Sequence, residues 1–439
     1  MADLRYLGPA GNNLLSASQA ADKIAAGEIT SEILVADCLS RIKARDADIG
    51  AWACVDAEHA LEQARALDRT ARVGPLHGIP VGLKDVLDTR DLPTGYGSPV
   101  YKDHRPTQDS ACVAALRRAG AVILGKTTTT EFASPWAVGV RNPHDLTRTP
   151  GVSSSGSAAA VADFMAPLAL GTQTGGSVIR PATYCGIYGY KASLDGLDRG
   201  GIRHTRPTLD TLGLFARSIS DIDLMRRAMT GEDRGAAEPL TPSRRRLGLC
   251  RTNQWPLATP ATRRALGIAE QRLRAEGAEV TAIDLPEVFE SALDSFRVIS
   301  QWEGAKALEL ELREYLDTMN PWLKDGAAKR PSLTKSRYDN ALSHAAECRA
   351  QLVRIFAGVD ALITPAAAGE ASHALTGPED QSFCQLWTMM HGPCVTIPAF
   401  SGPEGMPMGL QVVGAVGDDE RLIGLCAWIA RAMGPLPIG

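Results

Sequence analysis

The chain has 439 residues, a formal net charge of −4, 44% hydrophobic and 22% charged residues. That balance suits a soluble globular protein with a large core, and the mild negative charge gives no electrostatic case for nucleic acid or an anionic membrane as partner. Nine cysteines scattered without a C-x-x-C pair point to reduced thiols in the cytoplasm rather than to disulfides or a zinc site.

The N-terminal MADLRYLGPAGNN lacks a basic region followed by an apolar run, so no signal peptide is expected. Residues 17–70 read as an arm of helices packed around the core. Ser18, Thr30 and Ser31 are candidate caps, and Ile33, Val35, Leu39 and Ile42 recur at near-helical spacing. From about residue 74 short apolar runs alternate with helices, an α/β signature. Strands are expected at 78–84, 121–125, 168–173, 246–250, 278–283, 360–364, 394–399 and 409–414. Helices are expected at 108–119, 156–165, 219–229, 260–276, 302–318, 335–356, 381–390 and 418–432. The weakly polar stretch 158–171 contains Asp163 and Pro167 and is too short to span a bilayer. The polar segment 230–246 reads as a surface loop inside one domain covering residues 1–439, with a helical arm (1–70), a core (74–229) and a remainder (246–433) that completes sheet and pocket.

The chemistry concentrates in residues 150–191. Ser177 follows Gly175 and Gly176 in TQTGGS, where slim residues let a carbonyl approach the backbone and successive N–H groups converge on a developing oxyanion. Ser153 sits in GVSSSGSAAA, and the segment between the two serines reads as a helix followed by a strand that returns to the same place. A serine nucleophile needs a base, and neither a nearby histidine nor a G-x-S-x-G elbow is present. Lys84 in GIPVGLKDV is the candidate. In an alternating strand it shares a face with Gly78, Pro80 and Gly82, so a close neighbour can bury it and favour the neutral amine.

Together Lys84 in GIPVGLKD, Ser153 in the serine-rich loop and Ser177 in TQTGGS resemble the amidase signature family, with its Ser–cis-Ser–Lys triad. GKTTTTEFA (125–133), Asn142-Pro143, LDTLGLFARSISD (209–221) and GLQVVGA (409–415) extend the resemblance over most of the chain. It implies a mixed central β-sheet covered on both faces by helices and an amidohydrolase without metal or organic cofactor. Ser177 is then the nucleophile, Ser153 (after a cis peptide at Val152) the relay, and Lys84 the base. The backbone N–H groups of Thr174, Gly175, Gly176 and Ser177 form the oxyanion hole, with Ser154 and Thr172 in support. Two departures stand out. Val152 and Ser155 replace glycines of the usual GGSSGG, and Gln173 stands where an acid commonly precedes the nucleophile by four residues. The wording TQTGGSVIRP is similar to the malonamidase-like branch, which implies that Arg180 binds a substrate carboxylate, the alternative being a structural salt bridge to an acid of the fold; in the substrate role its charge would also disfavour protonated Lys84. The expected partner is therefore a small amide, with dicarboxylic monoamides or carboxylated ureas favoured; a homodimer is compatible with this reading.

Two other functions share the fold. One is the glutaminase subunit of a tRNA-dependent amidotransferase, against which Gln173 and the S-V-I-R spacing argue; the other is a non-catalytic binding protein. GAVILGKT (120–127) matches the P-loop spacing, but its AVIL is itself a strand and TTTTEF does not open a helix. Ser332-Leu-Thr-Lys335 lacks the partner motifs of penicillin-binding enzymes. Lys126 is a rival base whose plainer reading is an ion pair with Glu131. The eight histidines show no metal-ligand spacing. His391, beside an expected pocket-lining helix (382–392), reads as packing.

Overall fold

The computed structural model describes residues 11–232 and 245–434. Most of the loop expected at 230–246 therefore lies outside the described residues. Among the described residues thirteen strands occur in chain order: β1 (Trp52–Val55), β2 (Pro80–Lys84), β3 (Val122–Thr127), β4 (Trp136–Val138), β5 (Leu168–Gln173), β6 (Tyr188–Lys191), β7 (Thr211–Ala216), β8 (Arg246–Cys250), β9 (Glu279–Ile283), β10 (Ala361–Pro365), β11 (Thr376–Pro378), β12 (Cys394–Ser401) and β13 (Pro407–Val413). The helices are α1 (Ala17–Ala25), α2 (Ser31–Ile49), α3 (Ala57–Asp68), α4 (Ala111–Arg118), α5 (Ser155–Ala162), α6 (Ile179–Tyr184), α7 (Ile219–Thr230), α8 (Pro260–Ala275), α9 (Ala292–Ala307), α10 (Glu309–Glu314), α11 (Pro321–Lys329), α12 (Lys335–Phe356), α13 (Gln385–Met389) and α14 (Asp419–Met433). None of these helices is long and apolar enough to cross a membrane.

Eleven strands form one sheet in the order β1-β3-β2-β5-β7-β6-β12-β13-β10-β8-β9. Strands β3, β2 and β5 run parallel, as do β10, β8 and β9, while antiparallel pairs join these groups through the centre. The sheet is mixed and helices flank it. The period-two alternation of the strands divides their side chains between the two faces. Leu168, Leu170, Leu212 and Leu214 enter the largest core cluster with α1, α4, α7, α8 and α14. Ala169 and Phe215, from the same two strands, pack instead against α5 and α6. Cys250, Leu362 and Val413 likewise meet α9, α12 and α13.

The eight expected strands are all present. Strands β6 and β7, at the centre of the sheet, were not expected, nor was β1, which interrupts the presumed all-helical arm between the left-handed cap Gly50 and the N-cap Asp56. The helix expected at 302–318 runs instead as α9 and α10, and α11 follows an Asn320 cap with Pro321 in its first turn.

Helix α5 is the element on which the site depends. All eight of its residues are buried. A Cβ on Gly156 would lie 2.2 Å from the Ala51 carbonyl oxygen and 2.4 Å from the Thr128 nitrogen, so only glycine lets this helix start so close to the end of β3. The threonine run after β3 grips the same turn. Gly156 N–H donates to Thr128 O at 3.0 Å, Thr129 Oγ1 to Ser153 O at 3.1 Å, and the Thr127 and Ser157 hydroxyls lie 2.7 Å apart.

Candidate active site

Lys84 ends β2. Ile79, Val81 and Leu83 join the main core, leaving the lysine on the opposite face toward the start of α5. The slim neighbours serve as expected: a Cβ on Gly82 would lie 3.1 Å from the Trp52 ring and 3.0 Å from Thr127 Cγ2. Lys84 is fully buried, with Nζ 2.7 Å from Ser153 Oγ and 2.8 Å from Thr172 Oγ1. Burial pushes its pKa down from 10.5 to about 7, opposed by the more distant charge of Asp210. Arg180 is not among the causes, contrary to expectation; desolvation does the work.

The Val152–Ser153 peptide is cis. Ser154 Oγ donates to Thr172 O at 3.2 Å and accepts from Thr172 N at 3.4 Å, fastening the serine loop to the end of β5. Gly171, opposite, leaves room: a Cβ there would lie 2.7 Å from Ser154 Oγ. Lys84, Ser153, Ser154 and Thr172 are thus brought together at one end of β2 and β5.

Ser177 lies in the turn between β5 and α6 and is 8% exposed. Gly175 and Gly176, also buried, are crossed by the segment before α13; a Cβ on Gly175 would lie 1.7 Å from Gln381 Oε1, and one on Gly176 would lie 3.0 Å from Cys384 Cβ. Among the described residues, the backbone N–H groups of Gly175, Gly176 and Ser177 donate to no protein acceptor. Buried N–H groups are seldom left without partners, so these three in succession are donors available to an incoming acceptor.

Gln173 explains its own departure from the acid. Its Oε1 accepts from Val178 N at 2.9 Å and Ile179 N at 3.0 Å, anchoring the start of α6 as a carboxylate would. Its Nε2 donates to Thr388 Oγ1 at 3.1 Å, a tie to α13 that an acid lacks. Pro181 fits the first turn of α6 without breaking it.

For Arg180 the structure shows the alternative reading, a buried ion pair with an acid of the fold. It is 1% exposed, its Nε lies 3.2 Å from Glu379 Oε2, Nη2 donates to Val152 O at 2.6 Å and Nη1 donates to Asp380 O. Glu379 also accepts from Val152 N at 3.1 Å and from the Thr149 hydroxyl. The pair is a buried clamp on the loop that carries Ser153, and the guanidinium is occupied by protein. Breaking such a pair leaves an uncompensated buried charge, at a cost of about 3–5 kcal/mol. Glu379→Ala is accordingly expected to lower the melting temperature by several degrees and to reduce turnover with it, whereas an Arg180 held for substrate would spare the fold.

Lys126, the rival base, is also buried and its pKa is lowered by desolvation. Its Nζ donates to Leu87 O and Thr94 Oγ1, each at 2.6 Å, and lies 3.5 Å from Asp85. Glu131 is not its partner; that carboxylate accepts instead from Ser98 Oγ and from Asn320. His391 Nε2 meets Thr208 O at 2.9 Å, a packing role. Sequence reasoning missed Asp210, which accepts from the Thr174 hydroxyl and from the Thr205 and Arg206 N–H groups at 2.8 Å. The signal available was an acid inside the apolar run LDTLGLF (209–215). Among the described residues no group of three or more His, Cys, Asp or Glu side chains is arranged to hold a metal ion.

A lysine kept neutral by burial, a serine in contact with it, and a second serine in a glycine turn with free N–H groups suit a serine-dependent amide hydrolase. A family model for amidases matches residues 33–423, and the chain belongs to the amidase signature family. Curated relatives include the A subunit of the glutamyl-tRNA(Gln) amidotransferase of Salinispora arenicola (strain CNS-205), 32% identical with 96% of this chain and 98% of the relative covered. Its counterpart from Acidothermus cellulolyticus (strain ATCC 43068 / DSM 8971 / 11B) is 34% identical, with 93% and 92% covered. Among solved structures, an amidase superposes with a TM-score of 0.87 at 29% identity, covering 96% of this chain and all of that one. The peptide amidase of Stenotrophomonas maltophilia gives 0.79 at 26%, covering 98% and 99%. The protein is an enzyme that hydrolyses carbon–nitrogen amide bonds.

Proposed function

We propose that Ser177 performs this hydrolysis on a small amide through an acyl-enzyme. The single observation that carries the reading is the 2.7 Å contact between Lys84 Nζ and Ser153 Oγ in a site closed to solvent. Ser177 Oγ bonds to the amide carbon while its proton passes to Ser153, whose own proton moves to the neutral Lys84 amine. Oxygen charge develops against the N–H groups of Gly175, Gly176 and Ser177, with Thr174 completing the turn. Collapse breaks the C–N bond, and Lys84 returns the proton through Ser153 to the leaving amine. Water enters by the same relay in reverse and releases the acid.

The finer reading, a carboxylate-bearing amide, no longer draws on Arg180. It gains support from the relatives named as parts of an amidotransferase: a glutaminase would take glutamine, itself a small amide with a carboxylate. Those relatives favour a second reading, in which this chain works beside companion subunits. Ammonia release by the isolated chain, measured over a panel of small amides with and without a free carboxylate and including glutamine, separates the two. Turnover of acidic amides by the chain alone is expected. Turnover only of glutamine, and only once companion subunits have been added, would establish the second reading instead.

A further inference from the structure

Asp210 stands immediately before β7 and is 7% exposed. One carboxylate oxygen accepts from the Thr174 hydroxyl, and the other from the Thr205 and Arg206 backbone N–H groups, each at 2.8 Å. Its own N–H donates to Arg206 O at 2.7 Å, closing the loop between them. The next residue, Thr211, pairs with Gln173 across β7 and β5, and its hydroxyl donates to Gln173 O at 3.2 Å. Two neighbouring residues at the start of β7 therefore hold two neighbouring residues at the end of β5. The second of those held, Thr174, opens the turn of Gly175, Gly176 and Ser177.

Two residues of that turn are glycines, which have the widest backbone freedom. Its N–H groups meet an oxyanion without reorganisation only where the ends of the turn are fixed. Gln173 fixes the far end through Val178 N and Ile179 N, and Asp210 fixes the near end. The carboxylate also brings a charge. Lys84 Nζ meets the Thr172 hydroxyl at 2.8 Å, and Thr172 and Thr174 are separated by at most about 7 Å of extended chain. The Asp210 charge raises the Lys84 pKa against the larger, opposite effect of burial. The other charged groups facing Asp210 are the Arg206 guanidinium, His204 Nδ1 at 3.9 Å from Oδ2, and Arg199, whose Nη1 donates to Asp210 O at 2.7 Å. Glu303 of α9 acts on Arg206 in turn, while accepting from Thr208 and Tyr338.

We propose that Asp210 is a positioning residue of the hydrolysis: through the Thr174 hydroxyl it fixes the glycine turn that receives the oxyanion, and its carboxylate is the counter-charge to the lysine protonated by the relay. The proposal rests on Ser177 and Lys84 having the roles given above, and its test keeps the two apart. Asparagine at 210 separates tether from charge. Its single oxygen still accepts from the two backbone N–H groups and its Nδ2 donates to the Thr174 hydroxyl, so the tether stays and the charge goes. Valine at 174 does the reverse.

The experiment follows the rate at which a fluorophosphonate labels Ser177 in the full chain from pH 5 to 9. Thr174→Val is expected to slow labelling on the alkaline plateau at least about ten-fold, in the manner of a lost oxyanion-hole contact, with the acid limb where the parent has it; Thr174→Ser, which keeps the hydroxyl, should restore most of the rate. Asp210→Asn is expected to hold the plateau within about three-fold of the parent and to move the limb to lower pH, so that the rate at pH 6 relative to pH 8 rises about two- to three-fold. Thr174→Val leaves the carboxylate its two backbone donors, so it decides the tether even if Asp210→Asn fails to fold in thermal melting. Absence of label on Ser177 in the parent would overturn the nucleophile, and the role of Asp210 with it. Label on Ser177 with an unchanged plateau in Thr174→Val, or an unmoved limb in folded Asp210→Asn, would overturn the role of Asp210 alone.

Discussion

Lys84→Ala is expected to lower kcat/KM by at least about a thousand-fold, the scale on which a positioned general base contributes, and to leave the protein folded. Folding is spared for a reason of sign. The Lys84 pKa falls from 10.5 in the exposed state to about 7 in the folded one, so the unfolded chain binds more protons between these values and the folded state is penalised below pH 10.5. Removing the amine relieves that penalty against the packing it loses. The same shift sets the pH profile of the parent enzyme. In the proposed relay the neutral amine accepts the proton, so activity should be full above about pH 7 and fall about ten-fold per unit below it. Steady-state rates from pH 5 to 9 check both statements. Lys126→Ala offers the contrast: it strips Asp85, Leu87 and Thr94 of their partner, and is expected to lower the melting temperature and leave the pH limb in place.

Ser177→Ala should abolish the acyl-enzyme outright, while Ser153→Ala should slow its formation without moving the site of attachment. The difference follows from their neighbours. Ser153 Oγ is held by Lys84 Nζ and sits on a loop fixed through Arg180, Glu379 and Thr129. Ser177 stands in the turn whose own N–H groups are free. A relay hydroxyl transmits a proton that water can carry poorly in its stead, whereas nothing substitutes for the attacking oxygen. Single-turnover experiments followed by intact mass distinguish a slow acylation from none. Effects of residues acting as a unit are not additive, so the double variant Lys84→Ala/Ser153→Ala should be little worse than Lys84→Ala alone.

Much of this site was legible because its chemistry is written in short contiguous runs. GIPVGLKDV carries the alternation that places Lys84 opposite the apolar core, and TQTGGS carries the turn; both needed only local geometry. The eight long apolar strands were equally plain. Strand β1 was not, since four residues between two capped helices show too little period to register. Strands β6 and β7 are central, yet Gly189 and Gly213 dilute their apolar alternation. The Asn320-Pro321 start of α11 was a readable signal that went unread. Arg180, Glu379 and Asp210 are of another kind. Whether an arginine meets a substrate or a protein acid depends on a partner 199 positions away (379 − 180), and no pattern along the chain encodes that pairing. The resemblance offered a substrate-binding role for Arg180, and the structure shows the alternative, an ion pair with Glu379 beside a bond to Val152 O.

The most direct measurement is mass-spectrometric mapping of a fluorophosphonate adduct on the isolated chain, run in parallel on Lys84→Ala. A single adduct on Ser177, formed at least about a hundred-fold more slowly in the variant, is the predicted result. An adduct on another residue, or equal labelling of Ser177 with and without Lys84, would contradict the relay from Ser177 through Ser153 to a neutral lysine.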